Sequence, residues 1–282
     1  MRKKTIIILL SIVILIILLI VYLNYENNSL QISNYEIMSN KIPKGFNDYK
    51  IIQVSDFHNT KSKKLTKDLI SEIKKQKPNA IVITGDLIDS RKTDINVAIN
   101  FIKQIKDYAP IYFVSGNHEA RINSYGELKI KLIENGVTIL DNKVEVIELN
   151  DSKINMLGID DPSMAHESFV ADEEIINTQI NNLEYDKDNF NILLSHRPEV
   201  FNVYVNNEID LILTGHAHGG QIRMPFIGGL VAPNQGLFPK YTSGKFEDGN
   251  TTMIVSRGIG NSILPFRVNN NSELVVITLK TY

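Results

Sequence analysis

Six histidines occur among the 282 residues of this chain, and five of them stand in short polar clusters. The densest cluster is Leu213-Thr-Gly-His-Ala-His-Gly-Gly-Gln221, where His216 and His218 are one residue apart and bounded by glycines. Imidazole is the commonest metal ligand among side chains, and glycines let two rings crowd an ion at little steric cost. Four more clusters share this character: Asp56-Phe-His58, Gly85-Asp86, Gly116-Asn117-His118-Glu119 and His196-Arg197. Singly, each has a plain structural reading as a cap, a turn or a strand-end histidine. Together they repeat carboxylate, amide and imidazole groups after apolar runs, and buried polar groups are costly unless paired or metal-bound. A shared pair of divalent cations accounts for all five. With no cysteine, thiolate ligation and disulfides are excluded, so nitrogen and oxygen must hold any metal. The sixth histidine, His166, stands alone and is expected to take no part in chemistry.

The elements that position these clusters follow from periodicity. Residues 50–55, 80–84, 111–114, 137–140, 144–149, 154–158, 192–195, 211–214, 253–256 and 274–279 read as strands. Leu65, Leu69, Ile70 and Ile73 recur at helical spacing, and residues 95–105 read as a second helix. Alternation of strand and helix implies parallel strands joined by right-handed crossovers. Every polar cluster then lies at the carboxyl end of a strand, the edge where open α/β sheets bind ligands. The expected fold is α/β, a four-layer αββα sandwich of two mixed β-sheets flanked by helices and preceded by one N-terminal transmembrane helix.

That helix is expected over residues 6–23, which are apolar except for Ser11 and Tyr22 and contain no Gly or Pro. A run of ~20 such residues crosses a bilayer. Arg2, Lys3 and Lys4 precede it, so the positive-inside rule places the N-terminus in the cytoplasm and the remainder outside the cell membrane. No Ala-x-Ala site follows, so a retained anchor is expected rather than a cleaved signal peptide. The organisation is therefore an anchor at 1–23, a polar Asn-rich spacer at 24–45 and one large domain at 46–282. The chain has 30 basic and 32 acidic residues; setting aside the basic residues of the anchor leaves a mildly acidic domain. A nucleic-acid footprint is not expected. Nor does any feature call for an obligate protein partner.

The ordered set Asp-x-His, Gly-Asp, Gly-Asn-His-Glu, a solitary His and Gly-His-x-His resembles the signature of the calcineurin-like metallophosphoesterases. With Ser-His-Arg-Pro-Glu upstream of Gly-His-Ala-His-Gly-Gly-Gln, it resembles their bacterial, membrane-associated YkuE/YaeI branch. The resemblance covers about residues 45–282, with every block present in order. It implies that Asp56, His58, Asp86 and His218 hold one metal, and that Asp86, Asn117, His196 and His216 hold the other, with Asp86 bridging. Four imidazoles, two carboxylates and one amide suit Mn, Fe or Zn better than Ca or Mg. It further implies that a metal-activated water attacks phosphorus and that His118 is the catalytic residue at the leaving oxygen, donating a proton or stabilising its charge. Pairing with Asp56 is expected to orient His118. Arg197, Arg223 and Arg257 lie near strand ends as candidate phosphate donors. Gln221 and the loop 224–241, with Phe226, Leu237 and Phe238, could flank the cleft, an apolar rim that would suit a lipid-linked substrate. The expected activity is hydrolysis of a phosphodiester or pyrophosphate on the outer face of the membrane, on a lipid- or nucleotide-linked substrate. The alternative is a non-catalytic metal-binding scaffold tethered there.

Overall fold

The computed structural model describes residues 2–165, 169–261 and 264–282. His166 lies outside the described residues. The chain starts with helix α1 (Arg2–Asn28), whose exposed apolar residues surround it on all sides, as expected of a membrane span and not of a helix packed on a core. It runs a turn beyond the apolar stretch.

From Lys50 the chain alternates as its periodicity predicts, through β2 (Lys50–Val54), α2 (Lys63–Gln76), β3 (Ala80–Thr84), α3 (Ile95–Ile105) and β4 (Ile111–Val114). A single turn, α4 (Asn117–Ala120), leads to α5 (Tyr125–Glu134) and β5 (Val137–Ile139). The second half comprises β6 (Lys143–Leu149), β7 (Ser152–Gly158), α6 (Asp172–Asn181), β8 (Phe190–Leu194), α7 (Phe201–Asn206) and β9 (Leu211–Thr214). Two small ribbons follow, β10 (Arg223–Met224) with β11 (Gly228–Gly229) and β12 (Val231–Ala232) with β13 (Gly236–Leu237). The chain closes with β14 (Gly244–Asp248), β15 (Thr251–Val255) and β16 (Ser272–Lys280).

The stretch 24–45 is not a spacer. Its residues Leu30–Met38 form strand β1, paired in parallel with β16 from Leu30↔Ser272 to Met38↔Lys280. Leu30 and Ile32 pack on one face of the sheet while Tyr35 and Ile37 pack on the other. An edge strand needs only two apolar side chains per face, so this one shows no sustained alternation and reads as polar linker.

Two six-stranded mixed sheets result, ordered β1-β16-β2-β3-β4-β5 and β14-β15-β9-β8-β7-β6. Strands buried on both faces read as continuous apolar runs, and alternate residues go to different cores. Ile52, Ile81, Ile83 and Phe113 pack under α2, α3 and α5 with Leu69, Phe101 and Leu128. Ile51, Val82 and Val114 meet Ile192, Leu194 and Leu213 between the sheets. Leu193, Ile212 and Val255 pack against Ile176 of α6 and Tyr204 of α7. These three cores make the four layers. Each such side chain contributes ~1.5–3 kcal/mol when fully buried, which fixes the register of the strands that carry the polar clusters. Because β2, β3 and β4 are parallel neighbours in one sheet and β8 and β9 in the other, their carboxyl ends gather at one edge.

Candidate metal centre

Asp56 and His58 follow β2, Asp86 follows β3, Asn117 and His118 occupy α4 after β4, His196 follows β8, and His216 and His218 follow β9. All eight side chains are buried at the shared edge. The backbone is strained there. Asp56, His58, Asp86, His216 and His218 have φ of 50°, 47°, 53°, 67° and 47°, a left-handed conformation that costs roughly 1–2 kcal/mol per non-glycine residue. Hydrogen bonds between the loops hold it: Asp56 N donates to Gly85 O (3.1 Å), His58 N to Asp86 O (3.0 Å) and Gly215 N to His196 O (3.2 Å). Gly215 is required by close approach, since a Cβ there would stand 1.9 Å from Ser55 Oγ and 2.3 Å from Asp56 Oδ2.

The side chains form two groups joined by one carboxylate. In the first, His58 Nε2 lies 3.1 Å from His218 Nε2, and His218 Nε2 lies 3.2 Å from Asp56 Oδ1. In the second, His196 Nε2 lies 3.2 Å from His216 Nδ1. Asp86 Oδ2 stands between them, 3.5 Å from His58 Nε2 and 3.3 Å from His196 Nε2. Asn117 Oδ1 is buried with no hydrogen-bond partner among the described residues. Converging ring nitrogens, two carboxylates and an orphaned amide oxygen are what a pair of divalent cations would satisfy, so the donor set fits the metals that the sequence implies. His196 Nδ1 is 2.8 Å from Thr84 O, to which it donates, leaving Nε2 turned to Asp86 and available as a ligand.

Charge follows the same arrangement. Burial alone would raise both aspartates, but the facing histidines outweigh it: His218 holds Asp56, and His196 with His58 holds Asp86, below the usual carboxylate range. Burial pushes His58 down to about 3, against the pull of Asp86. His216 is pushed down by burial and by Arg197. His196 goes the other way. Burial would lower it, but Asp86, then Asp56 and Asp161, raise it to about 10.

His118 differs from the others. It stands near His58 and Asp86 in a third group with ligand-like spacing, yet its Nδ1 accepts from Ser90 N at 2.9 Å. In the neutral ring that burial favours, Nε2 therefore carries the proton and cannot ligate. That N–H points toward the centre, 3.9 Å from Asp86 Oδ2. Asp56 does not orient it. Both oxygens of Asp56 are engaged by His216 N, with Ser55 Oγ also donating to Oδ2, while Ser90 and Asp89 face His118.

The family model described as calcineurin-like phosphoesterase matches residues 49–220, which span this edge of both sheets. The chain belongs to that family. It is 30% identical over 266 residues to the uncharacterized metallophosphoesterase YkuE of Bacillus subtilis, covering 92% of this chain and 89% of that protein. It is 26% identical over 243 residues to the phosphodiesterase YaeI of Escherichia coli, covering 82% of each. It is also 27% identical over 262 residues to a zebrafish (Danio rerio) transmembrane protein with metallophosphoesterase domain, covering 89% of this chain and 57% of that protein. As a calcineurin-like phosphoesterase, the chain is a hydrolase of ester bonds.

The remaining sequence candidates distribute unevenly around this phosphoesterase site. A cavity of about 450 Å³ opens over the metal groups, lined by Asp86, Asn117, His118, His216 and His218 and rimmed by Arg91, Arg121 and Arg197. Arg197 is committed within the protein. Its Nε and Nη2 bind both oxygens of Asp161, and Nη2 also donates to Ser163 Oγ (3.0 Å). The strand-end turn at Asp160-Asp161-Pro162 is thus the anchor of a buried ion pair. Gln221 and Arg223 do not line the cavity; Arg223 Nη1 donates to Gly219 O (2.8 Å). Arg257 pairs with Glu273 (3.3 Å). Sequence reasoning passed over Glu119, which accepts from Asp86 N (2.8 Å), Gly116 N (2.8 Å) and Ile88 N (3.1 Å) and so ties two ligand loops together. Its signal was its place directly after His118. Arg91 and Arg121 were also missed, though each follows a cluster within a few residues.

Proposed function

We propose that this chain hydrolyses a phosphodiester or pyrophosphate bond at two divalent cations, Mn, Fe or Zn, on the outer face of a membrane. Asp56, His58, Asp86 and His218 would hold one ion; Asp86, Asn117, His196 and His216 would hold the other. The observation that carries this reading is the position of Asp86 Oδ2, within 3.5 Å of His58 Nε2 and 3.3 Å of His196 Nε2, where one carboxylate can serve both groups. Bound there, the ions supply an activated water at neutral pH and neutralise charge on the phosphoryl oxygens. His118 directs its Nε2–H at the leaving oxygen and stabilises the charge that develops there by a hydrogen bond, because Ser90 N–H occupies the opposite ring nitrogen. Arg91 and Arg121 at the rim attract the anionic substrate, which is lipid- or nucleotide-linked. Arg2, Lys3 and Lys4 before the apolar helix support an external domain.

The test uses the full-length chain in detergent, stripped of metal and reloaded with Mn²⁺. It should hydrolyse bis-p-nitrophenyl phosphate, lose activity in EDTA and, as Asp86→Asn, lose both turnover and bound metal. A fully metallated protein inert toward monoesters, diesters and pyrophosphates alike would instead be a binding scaffold.

A further inference from the structure

Tyr22 stands one residue before the end of the apolar run of α1, and its hydroxyl donates to Asn269 Oδ1 (2.9 Å) and accepts from Asn269 N (3.0 Å). An aromatic residue at this point marks the level of the bilayer surface. Asn269 Nδ2 in turn donates to the carbonyl oxygen of Arg223 (3.2 Å), and Arg223 N donates to Val268 O (3.0 Å). The root of the β10–β11 ribbon is therefore two hydrogen bonds from the surface end of the anchor.

What the ribbons present there is apolar and unpartnered. Phe226, at the tip between β10 and β11, is fully exposed, and Ile227 beside it is 57% exposed. On the neighbouring ribbon Leu237 is 75% and Phe238 64% exposed, and Phe238 N donates to Leu230 O (2.9 Å), which ties the two ribbons together. Scattered single apolar residues need no explanation, but two exposed pairs on linked ribbons, each with an aromatic, offer a contact surface. Charge agrees with it. Residues 211–246 contain no Asp or Glu, in a chain with 32 acidic residues, and they carry Arg223, Lys240 and Lys245. Exposed apolar side chains framed by basic ones suit an interface with anionic headgroups.

We propose that the two ribbons, through Phe226, Ile227, Leu237 and Phe238, form a second contact with the bilayer that holds α1. The domain then lies against the membrane instead of hanging from its anchor. This rests on reading α1 as membrane-spanning. Its consequence for the site comes through Pro233 and Asn234, in the turn of the second ribbon, which line the metal cavity. Contact of the ribbons brings the cavity mouth to headgroup level, where a phosphoester attached to a lipid is presented in two dimensions.

The chain contains no tryptophan, so one introduced residue is its sole indole emitter. Full-length Phe226→Trp and Leu237→Trp are reconstituted in vesicles of phosphatidylcholine and phosphatidylglycerol, with or without brominated acyl chains. Ile133→Trp serves as reference: Ile133 is exposed on α5, which packs beside β5 at the opposite edge of the sheet from β1. The proposal expects blue-shifted emission, lost to the brominated lipid, from the first two variants and water-like, unquenched emission from the third. Flotation of the vesicles shows separately that α1 has inserted. Floating protein with unquenched Trp at both ribbon positions overturns the proposal, as does equal quenching at all three positions. Failure to float overturns it together with the anchor reading. Because fluorescence needs no turnover, an inactive protein that shows the expected pattern would count against the proposed activity and leave this surface standing.

Discussion

Replacing His118 by Asn separates metal binding from charge stabilisation at the leaving oxygen. The Asn Oδ1 can take the place of His118 Nδ1 as acceptor for Ser90 N, a bond of 2.9 Å, while the Nε2–H that faces the centre disappears. His118 N still donates to Asp86 Oδ1 (2.8 Å), so the carboxylate between the two metal groups keeps its backbone tether. Removing one hydrogen-bond donor to a developing oxyanion costs on the order of 10²–10³-fold, equivalent to roughly 3–4 kcal/mol in the barrier. The expected loss in kcat is of that size, with KM and metal content unchanged. Leaving-group dependence makes the assay diagnostic. An alkyl phosphodiester, whose departing alkoxide concentrates charge on oxygen, should show the full loss, whereas a p-nitrophenyl ester, whose phenolate spreads that charge over the ring, should show a much smaller loss. Steady-state kinetics on both substrates, with metal analysis of the same preparations, test this. Equal losses on the two esters, or metal lost along with activity, would refute the assignment.

Three further outcomes follow from the site. Gly215→Ala should push Asp56 aside, because the added Cβ would stand 2.3 Å from Asp56 Oδ2; a displacement near 1 Å costs on the order of a hundredfold in rate, read as kcat/KM together with reduced metal occupancy. Asn270→Ala removes the donors to His218 O (2.8 Å) and Gln221 O (3.0 Å), which should lower stability by about 1–3 kcal/mol and weaken metal binding, measured by thermal melts and by metal titration. His196 is raised from its ordinary 6.5 to about 10 when no metal is bound, so its pairing with Asp86 stabilises the metal-free fold fully below pH 6.5 and is lost as pH rises through about 10. Metal must displace that proton, so calorimetric titration with Mn²⁺ near pH 7 in two buffers of different ionisation enthalpy should register proton release, and affinity should rise with pH. No buffer dependence would sink this last expectation.

The sandwich was legible because its strands are buried on both faces: Ile51 and Ile52, or Leu193 and Leu194, go to different cores, and such runs are visible without knowledge of their neighbours. The gathering of the polar clusters was legible for a related reason, since parallel order carries every strand end to one edge. What escaped were features decided by a distant partner. Strand β1 is a strand only because β16 offers it an edge. The expected pairing of His118 with Asp56 is likewise not what the structure shows. Asp56 accepts from Ser55 Oγ (2.6 Å) and His216 N (3.1 Å) and faces His218 Nε2 (3.2 Å), whereas the Nδ1 side of His118 is turned to Ser90 and Asp89 on the loop after β3.

Arg197 carries the same lesson into the chemistry of the site. A guanidinium next to a ligand histidine invites the role of phosphate clamp, and its planar fork fits two oxygens of one anion. Here that fork is filled by Asp161, which becomes available only because β7 runs beside β8 and ends at the same edge. A buried ion pair broken on one side leaves an uncompensated charge, at a cost of roughly 3–5 kcal/mol. A substrate phosphate would have to overcome that cost to recruit Arg197, whereas Arg121 lines the same cavity and is exposed to solvent. On the proposed function, the cations free to meet a substrate are therefore those at the rim, while Arg197, whose Nη1 lies 3.4 Å from His216 Nε2, braces that ring from behind.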